Sequence, residues 1–118
     1  MKKRLLFDFD GVIHSYTSGW QGINVAIDEP VEGIRETLDR LINMGYHIVI
    51  YSSRCNDLDG IRCIENYCSY YSIPYHEISN KKGIAYLTID DRCICFNGKT
   101  KELIGQIENF VAWNKNTK

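Results

Sequence analysis

The sequence predicts a three-layer α/β fold with a mostly parallel central sheet. Short segments that are apolar throughout, such as residues 5–9 and 47–51, alternate with longer segments whose apolar residues recur at helical spacing. Strands without a polar face are typical of parallel sheets covered by helices on both sides. In such open sheets, ligands bind beyond the carboxyl ends of the strands. Polar residues at those ends are therefore the candidate functional residues.

The first predicted strand, residues 5–9, ends at Asp10-Gly11. Residues 11–29 contain glycine and serine breaks and several aromatic residues but no helical period, so we expect residues 11–30 to form a long loop or small hairpin over the site. Pro30 suits the first turn of a helix. The apolar residues of that helix follow at helical spacing and Gly45 ends it: Val31, Ile34, Leu38, Leu41 and Ile42.

The second half of the chain continues the alternation. A strand at residues 47–51 ends at Ser52-Ser53, and a helix at residues 57–71 ends before Pro74. Short strands are predicted at residues 75–78 and 85–89, the latter ending at Asp90-Asp91. A last strand is predicted at residues 93–96, and Thr100 is expected to cap a final helix. The apolar residues of that helix are Leu103, Ile104, Ile107, Phe110 and Val111.

Composition limits the class of protein. With 118 residues, 44% hydrophobic and 25% charged, the chain fits a single domain over residues 1–118 that buries a core. A net charge of -1 offers no global basic surface for nucleic acid, although Lys2, Lys3 and Arg4 are adjacent. No stretch approaches the roughly 20 apolar residues that cross a bilayer. Five cysteines without disulfide-like spacing favour a cytoplasmic protein with reduced thiols, and an oligomer is compatible with the sequence.

Three strand ends carry the candidate chemistry. Asp8 and Asp10 are two residues apart at the end of the first strand, so extended backbone would point both carboxylates the same way, and Gly11 permits a sharp turn. Ser52 and Asp90-Asp91 follow two later strands. Each signal alone is common in turns and at strand ends. Together, at one edge of a parallel sheet, they predict a ligand-binding site.

The order of these segments resembles the haloacid dehalogenase-like (HAD) superfamily of phosphohydrolases. Asp-Phe-Asp-Gly-Val at residues 8–12 is similar to the first motif of that family, and the strand ending at Ser52 is similar to the second. Lys82 resembles the lysine of the third motif, and Leu-Thr-Ile-Asp-Asp at residues 87–91 resembles the fourth. The proline that often follows the family lysine is missing, so Lys81 remains an alternative to Lys82.

The resemblance implies a Rossmann-like core without a cap domain, because residues 11–30 form only a loop and the segment between Ile73 and Lys81 is too short for a domain. It also implies a mechanism. Asp8 would attack phosphorus and form an aspartyl-phosphate, while Asp10 would act as general acid and then as general base. Ser52 and Lys82 would hold the phosphoryl oxygens. Mg²⁺ is the implied cofactor, bound by Asp8, by the backbone carbonyl of Asp10, and by Asp90 or Asp91. Either aspartate of the Asp90-Asp91 pair can be the direct ligand.

Several nearby residues are candidates for binding substrate: Gly11, Ser53, Arg54, His14 and Trp20. The loop aromatics can contact the leaving group, with Tyr16 or Trp20 stacking on a base, or they can pack the loop onto the domain. Arg54 can bind a phosphate, or it can form a salt bridge.

The function predicted on these grounds is Mg²⁺-dependent phosphomonoester hydrolysis, with a nucleotide or another small phosphorylated metabolite as substrate. Two alternatives remain. One is a phosphatase that acts on phosphorylated nucleic-acid ends, and the other is a HAD-like module that binds a phosphate group without turnover. No membrane partner is expected.

Overall fold

A computed structural model describes residues 2–114 and confirms the predicted three-layer, Rossmann-like α/β class without a cap domain. Its sheet has four strands: β1 (Arg4–Asp8), β2 (His47–Tyr51), β3 (Glu77–Ser79) and β4 (Leu87–Ile89). The order is β3-β2-β1-β4, and all three pairings are parallel. β1 therefore lies inside the sheet, where its apolar side chains are covered.

Three α-helices accompany the sheet: α1 (Ile34–Asn43), α2 (Leu58–Tyr71) and α3 (Thr100–Glu108). A short 3₁₀ helix, Ser53–Asn56, lies between β2 and α2. The Asp57 side chain accepts a hydrogen bond from the Asp59 N–H and so caps the first turn of α2. None of these helices is long and apolar enough to cross a membrane.

The core lies between the sheet and the first two helices. β1 and β2 each bury three consecutive apolar residues, as expected for central parallel strands. Leu38 of α1 and Ile64 of α2 have no exposed surface. α3 has no buried residue, and its Ile104 and Ile107 are exposed. The core cluster contains Leu5, Phe7, Phe9, Ile13, Leu38, Ile48, Ile50, Cys55, Ile64, Tyr67, Cys68 and Ile73.

Some predicted boundaries are wrong. α1 begins at Ile34, not at Pro30, because Pro30 forms an antiparallel bridge with His14 and Gly33 adopts a left-handed conformation with φ 82°. The strand predicted at residues 93–96 does not form, because these residues pair with no other strand, and β4 is the edge of the sheet. α3 includes Thr100 instead of being capped by it, and it ends at Glu108.

Residues 11–33 form an irregular loop without helix or strand, three residues longer than the predicted loop at residues 11–30. Ile13 and His14 near its start are buried in the domain. Asp28 near its end accepts hydrogen bonds from the Ser18 backbone N–H at 2.8 Å and from the Ser18 hydroxyl at 2.6 Å. Tyr67 of α2 donates to the Asp28 carbonyl at 2.8 Å. The two ends of the loop are thus fixed to each other and to α2.

Candidate functional site

The carboxyl edge of the sheet brings the predicted strand-end residues together. Asp8 ends β1, Ser52 follows β2, and Asp90-Asp91 follow β4. Because all these strands are parallel and adjacent, their ends meet at one edge. One carboxylate oxygen from each of Asp8, Asp90 and Asp91 lies within 4.8 Å of the other two. This group is called the carboxylate cluster below.

Gly11 makes room for the carboxylate cluster. Its φ of +89° lies in the left-handed region, where residues with a side chain are strained. A Cβ atom built on Gly11 would lie 2.1 Å from the Asp91 Oδ2 atom. The predicted turn at Gly11 is therefore confirmed, and the glycine has a second role because it allows Asp91 to approach the first loop.

Proximity of like charges changes the ionisation of Asp8. Burial, a hydrogen bond with the Asp91 carboxyl group, and the charges of Asp90 and Asp91 together raise the pKa of Asp8 to about 8. Without a cation, the cluster therefore holds a proton between Asp8 and Asp91 at neutral pH. A divalent cation would replace that proton and remove the repulsion.

We expect this cluster to make the stability of the cation-free protein fall as pH rises. The folded pKa of Asp8 lies above its unfolded value of 3.8, so between about pH 4 and 8 the native state binds more protons than the unfolded state. The free energy of unfolding then decreases with pH, by at most about 1.4 kcal/mol per pH unit for one proton. Denaturant titrations in a chelating buffer should show this slope.

Asp91→Asn should flatten that slope, because it removes one repelling carboxylate, whereas Asp39→Asn on the exposed surface of α1 should leave the slope unchanged. A wild-type stability that does not change between pH 5 and 8 without a cation would contradict this account of the cluster.

The Asp10 carboxylate contacts the side chains of Arg54 and His14. Its Oδ2 atom accepts a hydrogen bond from Arg54 Nε at 2.7 Å, and its Oδ1 atom accepts one from Arg54 Nη2 at 3.1 Å. His14 Nδ1 lies 2.8 Å from Asp10 Oδ1. Since His14 Nε2 accepts a hydrogen bond from the Asp28 backbone N–H at 3.1 Å, the ring proton of neutral His14 is on Nδ1 and is donated to Asp10. The expected parallel orientation of Asp8 and Asp10 stays a prediction.

These contacts hold Asp10 ionised. Burial raises its pKa, but hydrogen bonds from His14 and Arg54 and the Arg54 charge outweigh burial, so the pKa of Asp10 is lowered. A carboxyl group with a lowered pKa has no proton to donate near neutral pH. Its ionised form can accept one, although only as a weak base. The geometry therefore fits the predicted base role of Asp10 better than the acid role. Its predicted backbone contact with a metal stays a prediction.

Arg54 is buried, with 1% of its surface exposed, and most of its donors are occupied. Besides the pair of bonds to Asp10, Nη1 donates to the carbonyl oxygens of Gly22 at 3.1 Å and Ile23 at 2.9 Å. The salt-bridge interpretation of Arg54 is thus the one found, and it is buried, not at the surface. Arg54 fastens the long loop to Asp10.

The predicted phosphate-binding residues surround the end of β2. Ser52 is buried, and its Oγ atom accepts a hydrogen bond from the Arg54 backbone N–H at 3.1 Å, while Ser53 is exposed. Lys82 Nζ lies 5.8 Å from the centroid of the Tyr51 ring. Tyr51 ends β2 and is paired in register with Asp8, while the predicted contact of Lys82 with phosphate stays a prediction. For Lys81, the backbone is bonded to the Ser79 hydroxyl.

The loop aromatics divide between core and surface. His14 packs with Phe9 and Tyr67, so its predicted contact with substrate gives way to a buried position. Trp20 is 56% exposed, and its ring centroid lies 4.8 Å from the Arg54 guanidinium carbon. For Tyr16, burial and the charges of Asp10 and Asp91 raise the pKa of the phenol.

Trp113 belongs to the site region but escaped the sequence analysis. Its indole Nε1–H donates to the Gly11 carbonyl at 2.7 Å, and the neighbouring Asn114 amide donates to the Ser15 carbonyl at 3.0 Å. The indole is 61% exposed. No local pattern predicts a contact between residues so distant in the chain. A tryptophan after the last predicted helix is the signal that the sequence offers for this residue.

Three solved structures share this fold at low sequence identity. A chain in a structure of the Pnkp1/Rnl/Hen1 RNA repair complex is 17% identical with a TM-score of 0.56, over 97% of this chain and 33% of that chain. A chain in a second structure of the Pnkp1/Rnl/Hen1 complex is 16% identical with a TM-score of 0.55, over 97% of this chain and 36% of that chain. An MCSG target protein from Vibrio cholerae is 21% identical with a TM-score of 0.52, over 90% of this chain and 97% of that chain. This chain thus spans about a third of the length of the complex components, and the likeness concerns the fold alone.

Sequence comparisons lead to a different family from the one expected. No curated protein sequence matches the chain. Residues 25–103 match the profile of the ribosomal protein L7Ae/L30e/S12e/Gadd45 family, a range that leaves out β1 and residues 8–14. The predicted membership of the HAD superfamily is therefore wrong, and the family-based reason for classing the chain as a hydrolase is lost with it. The chain belongs to the ribosomal protein L7Ae/L30e/S12e/Gadd45 family.

Proposed function

We propose that this protein acts on the phosphorylated end of an RNA strand, from which it removes the terminal phosphate with the help of a divalent cation. The observation that carries the proposal is the carboxylate cluster of Asp8, Asp90 and Asp91 at the carboxyl edge of the sheet. A ribosomal protein family and structural neighbours from RNA repair complexes support RNA as the partner in preference to a small nucleotide.

The residues present fit Mg²⁺. Hard cations of this kind prefer carboxylate oxygens and keep several waters, so a few protein ligands at an open edge suffice. Burial, together with the neighbouring carboxylates Asp90 and Asp91, raises the pKa of Asp8, and a cation between these groups would offset their repulsion. Asp8, Asp90 and Asp91 would hold the ion, which would neutralise negative charge on the phosphate.

The side chains then have distinct tasks. An Asp8 oxygen attacks phosphorus, the bond from phosphorus to the RNA oxygen breaks, and the phosphoryl group is held as an aspartyl-phosphate. Solvent protonates the leaving oxygen, because the lowered pKa of Asp10 leaves that group without a proton near neutral pH. Asp10 then takes a proton from the water that releases phosphate from Asp8. Ser52 and Lys82 contact the phosphoryl oxygens.

A second function is favoured by the family match. The protein can bind the phosphorylated RNA end without turnover, as a module that recognises the phosphate through the same cation, Ser52 and Lys82. Membership of a family named for ribosomal proteins supports this alternative, because catalysis is no part of that name. The two functions share a ligand and differ in whether product appears.

Turnover of phosphorylated RNA oligonucleotides tests the proposal. We expect inorganic phosphate to be released from 3′- or 5′-phosphorylated RNA in Mg²⁺ but not in a chelating buffer. Asp8→Asn should lower the rate by about 10³-fold or more, since it removes the attacking group. Asp39→Asn, on the exposed surface of α1, is the matched control and should keep the rate.

A free mononucleotide that is hydrolysed faster than any oligonucleotide would show that the substrate is a small nucleotide. Absence of phosphate release from every substrate would overturn the catalytic proposal. Binding of the phosphorylated end that depends on Mg²⁺ would then favour the module that binds without turnover.

A further inference from the structure

We propose that Trp20 and Trp113 form a stacking platform that holds the terminal nucleobase of the RNA whose phosphate lies at the carboxylate cluster. This inference rests on the proposed function for the position of the phosphate. It adds the part of the ligand that is recognised and a binding residue from the C-terminal segment.

One face of the Trp20 ring contacts the side chain of Arg54. The Arg54 guanidinium carbon lies 4.8 Å from its ring centroid, and Arg54 itself is buried and bonded to Asp10. A cation over one face of an indole fixes the ring and leaves the opposite face available. With 56% of its surface exposed, Trp20 presents an ordered aromatic surface next to the site.

Trp113 is hydrogen-bonded to Gly11, the residue that follows Asp10 in the chain. Its Nε1–H donates to the Gly11 carbonyl at 2.7 Å, and the Asn114 amide holds the following residue to the Ser15 carbonyl at 3.0 Å. The indole nonetheless remains 61% exposed. Trp113 is thus hydrogen-bonded to Gly11, and Trp20 contacts Arg54, which is paired with Asp10. Asp10 and Gly11 are consecutive in the chain.

The chemistry of the region selects the ligand. Exposed tryptophans have large apolar surfaces, which a binding partner can cover. A nucleobase is planar, and its stacking on an aromatic side chain contributes about 1–3 kcal/mol by alanine substitution, whatever the base. The Lys82 ammonium group and a cation at the cluster would attract the phosphate of the same nucleotide. Recognition through stacking predicts that a base is required and that its identity has little effect.

Binding of matched oligonucleotides tests the platform. One RNA has an intact phosphorylated terminal nucleotide, and the other has a phosphorylated abasic end. Fluorescence polarisation in Mg²⁺, with Asp8→Asn as the parent to prevent turnover, should show about tenfold or more tighter binding of the intact end. Adding Trp20→Leu or Trp113→Leu should bring that ratio towards one, and exchanging the terminal base should change it little.

Three further variants and one further ligand sharpen the result. Trp113→Phe keeps a ring but loses the bond to Gly11, so it should retain most of the preference. Trp20→Phe should do the same, and Trp20→Leu serves as the test if the Trp113 variants do not fold. Tyr70→Leu removes an aromatic side chain that is 80% exposed on α2, and the preference should persist. A phosphorylated mononucleotide should compete with the intact oligonucleotide if the platform holds only the terminal nucleoside.

The outcome separates the two proposals. A preference for the intact end that disappears in Trp20→Leu, without phosphate release by the wild type, would support the platform and contradict catalysis. Phosphate release at equal rates from intact and abasic ends would support catalysis and overturn the platform. An intact-to-abasic ratio near one in the parent, or an unchanged ratio in Trp20→Leu, also overturns it.

Discussion

Gly11→Ala is expected to destabilise the protein and to disrupt the carboxylate cluster. The left-handed φ of +89° alone costs a residue with a side chain roughly 1–2 kcal/mol. The new methyl group would also lie 2.1 Å from Asp91 Oδ2, so Asp91 must move away from Asp8. We expect a loss of at least about 2 kcal/mol in the free energy of unfolding and no further stabilisation by Mg²⁺.

Gly98→Ala is the matched control for this substitution. Gly98 has a similar φ of +85°, but no atom lies within 4 Å of the position its Cβ would take. It should therefore show only the backbone penalty and keep its response to Mg²⁺. Thermal unfolding with and without Mg²⁺ measures both effects. Equal responses to Mg²⁺ in the two variants would show that Asp91 does not contribute to a cation site.

Arg54→Met is expected to be the most destabilising single change. It leaves the Asp10 carboxylate without its charge partner, and loss of one member of a buried pair costs about 3–5 kcal/mol. The carbonyl oxygens of Gly22 and Ile23 lose their donor as well, which releases the long loop. Chemical denaturation should show the loss, and a second substitution, Asp10→Asn, should recover part of it by removing the unpaired charge.

Arg35→Met provides the comparison at the surface. Arg35 pairs with Glu36 at 3.1 Å, but both side chains are exposed, so the change should be within about 0.5 kcal/mol. Similar losses in the two arginine variants would contradict the structural role assigned to Arg54. Failure of Asp10→Asn to improve Arg54→Met would show that the unpaired charge is not the main cost.

Periodicity predicted most of the fold because the strongest signals are local. β2 was predicted at its observed bounds, since a run of β-branched residues between Gly45 and Ser52 leaves few alternatives. The false strand at residues 93–96 shows the limit of that signal. A strand needs a neighbour to complete its hydrogen bonds, and the sequence does not state that β4 is the sheet edge.

The candidate site was predictable where it depends on strand ends, and not where it depends on distant contacts. The approach of Asp8 to Asp90 and Asp91 follows from parallel strands with polar residues at one edge. The pairing of Asp10 with Arg54 joins residues 44 positions apart, and no local pattern predicts it. The predicted family was wrong because it was inferred from short motifs at strand ends, whereas the family match extends over residues 25–103.

The bond from Trp113 to Gly11 also affects the order in which the protein acquires its final form. These residues are 102 positions apart, so closing the contact carries the entropy cost of a very large loop. Pairing of β1 with β2 and the growth of α1 and α2 need much shorter closures and can precede it. During synthesis, the turn beside Asp10 therefore stays without its last hydrogen bond until residue 113 has emerged, and maturation of the site is a late event in folding.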